Sequence, residues 1–137
     1  MRKLLLLVTL ILLLGLVACG GEPAPASEEG QAAGAGNAAA GEELYNQALI
    51  GTQPGCMTCH SLEPGVTMVG PSLATIGADA ATRQSGVSAE DYLRNSIVEP
   101  DTFLTEGYGA GIMPAALADE LTEQQVNDLV AFLLTLK

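Results

Sequence analysis

Cys56-Met57-Thr58-Cys59-His60 decides how the rest of this chain is read. The stretch is C-x-x-C-H, the attachment signature of a c-type haem. Two thiols three positions apart, on one helical turn, can add across the two vinyl groups of a single haem. The imidazole of the next residue then lies under the iron as proximal ligand. Two other readings of a C-x-x-C pair compete. A zinc site needs about four N, S or O ligands, whereas the only further cysteine is Cys19 and His60 is the sole histidine. A thioredoxin-like redox pair calls for a βαβ pattern around it, and none is visible. The residues favour covalent haem c, one group, held by Cys56 and Cys59 with His60 on the iron.

Working outward, the N-terminus reads as an export leader. Arg2 and Lys3 precede the apolar run from Leu4 to Leu14, and Leu16-Val17-Ala18-Cys19 closes it. The run is too short for a comfortable membrane span of about 20 residues. The closing residues look like a bacterial lipobox, in which residues 1–18 are a signal peptide and Cys19 is lipidated and becomes the new N-terminus. An uncleaved anchor helix is the alternative, and both place the protein on a membrane. From Gly20 to Ala40 the chain is Gly, Ala, Pro, Glu, Ser, Gln and Asn, with no large apolar residue. Such a segment cannot bury enough surface to fold alone, so residues 19–40 are expected to be a lipidated start and a flexible linker. As a coil, residues 20–40 would reach roughly 25 Å on average.

The folded domain is then expected over 41–137. Sixteen acidic residues face five basic ones, a net charge of −11. Removal of the leader leaves Arg83, Arg94 and Lys137 against the 16 acids, a formal charge of −13 (three minus sixteen). Nucleic acid, whose binding draws on Lys and Arg, is excluded; a basic or apolar protein partner is the natural expectation. A domain of about 100 residues with few aromatics needs a staple, and the haem disc would be the missing core.

The periodicity predicts an all-α domain. A first helix is expected over 42–50, with Glu42 and Glu43 at its positive end and Leu44, Ala48 and Leu49 as its stripe. The segment 61–87 reads as loop with one short turn, Leu73 to Ile76, capped by Ser72 and ended by Gly77. Ser88 caps a clearer helix with Asp91 three residues on; Tyr92, Leu93 and Ile97 line it and Pro100 stops it. Thr122 and Gln125 form a capping box ahead of Val126, Leu129, Val130, Leu133 and Leu136.

The iron's other face has three methionine candidates, or none. Met57 sits between the attachment cysteines and cannot reach it. Met68, eight residues past His60, reads as pocket lining. Met113 follows a helix and the flexible Tyr108-Gly109-Ala110-Gly111, and Pro114 stiffens the backbone after it. His60 and Met113 are therefore the expected axial pair.

The order C-x-x-C-H, Gly70-Pro71-Ser72-Leu73, Met113-Pro114 and a C-terminal amphipathic helix resembles class I cytochrome c over about 41–137. The resemblance implies a small helical domain wrapped around one covalent haem, in which the Pro71 carbonyl bonds the second imidazole nitrogen of His60 and orients the ring. It also implies that the first and last helices cross, with Gly41, Leu44 or Tyr45, and Phe132 at the crossing. The tryptophan that many relatives place near the propionates is absent; Tyr108 and Arg83 are the residues to consider there.

His/Met ligation raises the reduction potential and fills the coordination sphere. The expected role is thus not that of an enzyme but of a one-electron carrier between respiratory or photosynthetic partners, lipid-anchored on the outer face of a bacterial membrane. Two alternatives stay open. The layout of lipobox, linker and monohaem domain is similar to the small cytochrome subunit of alternative complex III, a quinol-oxidising assembly. An open-haem sensor or enzyme would require that Met113 not bind.

Overall fold

Asn37 starts the first described helix. Its side-chain oxygen accepts the N–H groups of Ala39 and Ala40 at 3.0 and 3.3 Å, partners that a helix start otherwise lacks. Helix α1 then runs Ala38–Tyr45. The structure is a computed structural model that describes residues 34–137; the leader, Cys19 and most of the expected linker lie outside the described residues. Helix α1 thus begins four residues before the expected Glu42 and ends five before Ile50. The reason is tertiary. The Asn37 N–H donates to the buried carboxylate of Asp128 at 2.7 Å, and Gln124 Nε2 donates to Ala35 O at 3.1 Å. Residues ahead of the helix are thereby pinned to the last helix, and the alanines behind them, the best helix formers, propagate it.

After α1 the chain makes an antiparallel hairpin, β1 (Leu49–Ile50) and β2 (Gln53–Pro54), with Leu49 opposite Pro54. Gly51, at φ +57°, allows its turn. Leu49 is accordingly 64 % exposed and belongs to no helical stripe. A 3-10 turn at Cys56–Thr58 carries the cysteine motif. The expected turn at 73–76 is present, with the Ile76 N–H on Leu73 O at 3.1 Å and the Ala74 N–H on Ser72 Oγ at 3.3 Å, and helix α2, Ile76–Arg83, continues from it where a loop was expected. Gly77 lies inside its first turn and does not end anything. A Cβ there would stand 2.6 Å from the carbonyl oxygens of both Leu133 and Leu134, so the glycine admits close helix approach.

Helix α3, Ala89–Val98, is capped as expected: Ser88 Oγ accepts the Asp91 N–H at 3.1 Å and donates to Asp91 Oδ2 at 2.6 Å. Tyr92, Leu93 and Ile97 are its buried face. A 3-10 turn at Ala115–Glu120 precedes α4, Glu123–Leu133, whose capping box pairs Thr122 with Gln125. Helix α1 packs most extensively on α4. Gly41 makes this possible, since a Cβ would strike the Asp128 carbonyl and come within 2.9 Å of Phe132 Cβ. Tyr45 and Phe132 close the contact with ring centroids 5.5 Å apart. Apart from the hairpin, the described domain is helical, as expected.

One clamp ties the hairpin to the 115–120 turn. Thr52 donates to Glu120 Oε1 from its hydroxyl at 2.5 Å and from its N–H at 3.3 Å. The hydroxyl bond, then the backbone bond, hold the Glu120 carboxyl below its usual range. A depressed folded-state value contributes stability above the unfolded-state pKa and loses it as pH falls through the folded value. Thr52→Val should therefore lower the melting temperature at neutral pH, and the two proteins should converge in acid. Thermal melts that stay parallel from neutral pH into acid would exclude this linkage.

Candidate functional site

The 3-10 turn at Cys56–Thr58 sets up the site. Cys59 and His60 both direct their N–H groups at Cys56 O, at 3.1 and 2.9 Å, and Thr58 Oγ1 bonds Gly55 O at 2.6 Å. The two thiols are free and half-buried. Burial, with a smaller contribution from the charge of Cys59, pushes the Cys56 thiol up to about 11.

His60 is held from three directions. Its Nδ1 lies 2.8 Å from Pro71 O, its carbonyl accepts the Tyr45 hydroxyl at 2.7 Å, and its ring rests on Gly70. A Cβ on Gly70 would stand 2.5 Å from Cε1 and 2.8 Å from Nδ1. Burial lowers the imidazole pKa, partly offset by the Pro71 bond, so the ring is neutral, the form able to bind a metal. With Nδ1 committed to Pro71 as donor, Nε2 keeps its lone pair. Tyr45 is itself pushed up to about 12, by burial and then by the charge of Cys56, and stays a donor.

These residues open onto one cleft. Cys56, Cys59, His60, Pro71 and Met113 all line it, as do Arg83 and Tyr108. Its walls are chiefly apolar, with Leu93, Ile97, Leu117 and Leu129 among the core residues that face it. Met68 does not line it; the side chain is 45 % exposed, and Val69 takes the place expected of Met68. Met57 is 43 % exposed. Cys19 lies outside the described residues.

The cytochrome c family model matches residues 38–137. The chain belongs to the cytochrome c family. Neither a curated protein nor a solved structure matches it. The match starts at the first residue of α1 and covers the whole helical domain, so the mostly helical architecture is that of a small cytochrome c. The family works by haem-based electron transfer, and its members are typically carriers and not enzymes. The residues present fit a haem: a neutral imidazole with Nε2 uncommitted, a glycine cradle that a methyl group would fill, paired free thiols and an apolar cleft.

Two features of this cytochrome c domain have little trace in the sequence. The Tyr45 bond to the His60 carbonyl spans 15 positions, and Gly70, though part of the Gly-Pro-Ser-Leu stretch, gives no sign in the sequence that the ring rests on it. Gly70→Ala should displace the imidazole, because His60 is fixed at both its carbonyl and Nδ1 and cannot yield freely. The expected result is a several-fold lower yield of haem-loaded protein at equal expression and a shifted potential, read by pyridine haemochrome assay and redox titration. Normal yield with an unchanged potential would show that the ring has room after all.

Proposed function

We propose that this chain is a membrane-anchored one-electron carrier, with one haem c attached through Cys56 and Cys59 and held by His60 and Met113 on the iron. The observation that carries the reading is the joint placement of His60, its Pro71 partner and Met113 on one apolar cleft. When bound, the haem supplies a one-electron ferric/ferrous couple. The protein residues do the rest. Pro71 O fixes the tautomer and plane of the imidazole and raises its basicity. Met113 offers a soft thioether, which favours the reduced iron and raises the potential. The apolar walls keep water from the iron, and Arg83 is the cation that lines the cleft.

Electrons need a partner to leave by. Val69, Leu104 and Ile112 line the cleft and are 56, 44 and 46 % exposed. Glu63 and Glu106 are exposed on the loops that carry Val69 and Leu104. Such an apolar mouth on an acidic chain suits a redox protein with an apolar patch flanked by Lys or Arg. On this reading Cys19 carries the lipid, on the outer face of a bacterial membrane, and the residues after it act as a leash.

The test replaces residues 1–19 with an ordinary cleavable signal. The product should be a soluble haem protein with an unchanged spectrum but poor electron delivery to membranes at native abundance; excess soluble protein should restore turnover. If the soluble form at native abundance matches the anchored one, the tethered carrier is wrong. Co-purification of the anchored protein in fixed stoichiometry with a quinol-oxidising complex would make it a subunit in place of a carrier.

A further inference from the structure

The segment that brings Met113 to the cleft is held by a single backbone hydrogen bond. Across 109–113, the Gly111 N–H is the one backbone group with a protein hydrogen-bond partner among the described residues; it donates to Asp101 Oδ1 at 2.8 Å. The flanking bonds lie outside that stretch, from Tyr108 N–H to Thr105 O at 3.0 Å and from Leu117 N–H to Pro114 O at 3.1 Å. Packing replaces them only at Met113 itself, which lies partly buried against the core. Gly107 and Gly111 turn at φ +88° and +75°, with no atom within 4 Å of where a side chain would begin. Ile112 is 46 % exposed.

Asp101 is the fixed end of that bond. It follows the buried Pro100 at the close of α3. Two residues later Phe103 meets Tyr92 of α3 edge-on, centroids 5.5 Å apart and planes at 77°. The carboxylate is thus tied to a helix, and Gly111, two residues from Met113, is tied to the carboxylate. Asp101 and Met113 line the same cleft.

Resting on Met113 as the iron ligand, we propose that Asp101 is a positioning residue whose carboxylate staples the 101–111 loop shut and so governs how readily Met113 leaves the iron. Ordering an open loop costs entropy that the Met–iron bond must otherwise offset alone. A hydrogen bond to a charged acceptor is stronger than a neutral one and here restrains the segment through its one anchored N–H. Removing it frees five residues around the ligand while the helices stay intact.

The measurement is the rate at which imidazole, at saturating concentration, captures the iron of the ferric holoprotein, since departure of Met113 limits that rate. Asp101→Ala should speed capture about tenfold, the effect of losing one charged hydrogen bond at an exposed position. The near-infrared Met–iron band should also bleach at a lower temperature than the helical circular dichroism. Asp101→Asn keeps Oδ1 as a neutral, weaker acceptor and should bring the rate most of the way back towards wild type. Asp101→Glu keeps the charge but moves the oxygen by one methylene and should remain fast, which decides the matter if the alanine variant does not fold. Equal rates in Asp101→Ala and wild type overturn the staple, and so does an asparagine variant as fast as the alanine one. A wild-type protein with no Met–iron band and immediate capture would remove Met113 as ligand, and the staple with it; that signature differs from an intact band with unaltered rates.

Discussion

A chain carrying Cys56→Ala and Cys59→Ala should show little helical circular dichroism, no cooperative thermal transition and rapid degradation in the cell. More than half of the buried apolar residues, Tyr45, Ile76, Tyr92, Leu93, Ile97, Leu117, Leu129 and Leu133, also line the cleft. The core and the haem site therefore share one lining, and a domain without its cofactor would leave the cleft between those side chains unfilled. Leaving a cavity the size of one large side chain costs about 2–5 kcal/mol in lost packing, the haem disc is several times larger, and a domain of this size holds only about 5–15 kcal/mol in total. A few such losses exhaust it. The described residues contain no disulfide to compensate, since Cys56 and Cys59 are free. A cooperative melt in the haem-free double variant would mean that the helices carry their own core.

Replacing Met113 with alanine should abolish the near-infrared Met–iron band and lower the reduction potential by on the order of 100 mV or more, a fraction of the roughly 0.8 V that axial ligation spans. The motive is placement: Met113 is half-buried on the cleft that His60 lines. Met68→Ala serves as the internal control. With Met68 45 % exposed and away from the cleft lining, both readouts should stay at wild-type values. Redox titration followed in the visible and near-infrared bands measures both. A band that survives in Met113→Ala, or vanishes in Met68→Ala, reverses the assignment.

What the sequence discloses is what local chemistry controls. The Ser88 and Thr122 caps involve partners three residues away, so the starts of α3 and α4 are legible from composition alone. Pro71 beside Gly70 is legible through family resemblance, and the structure sets its carbonyl on His60 Nδ1. Two of the failures are long-range. The start of α1 depends on Asp128, 91 positions away, and an Ala-rich stretch next to glycines looks like linker until that partner is present. Gly77 has the residue type of a helix stop but the role of a gap, because Leu133 and Leu134 approach it from the other end of the chain. Met68 misleads because Val69, one position on, takes the place on the cleft. Asp101 and Gly111 are ten residues apart in a loop with no periodicity, so nothing in the sequence links them.

The pinning of residues 35–37 to α4 changes the mechanics of anchoring. On the proposed anchoring through Cys19, a leash would have its contour counted to the first docked residue and not to the middle of α1. Under that anchoring the leash would end no later than residue 34, where composition suggested 40. Six fewer residues would remove about 20 Å of extended length. For a flexible coil the volume searched scales with the three-halves power of contour, so the domain's local concentration at the membrane would rise about 1.7-fold. Such a leash would pull on the Asn37–Asp128 and Ala35–Gln124 bonds. Tension during partner encounter would then be borne by the pair of helices α1 and α4, and the loop that carries Met113 would lie off the line of force in the chain.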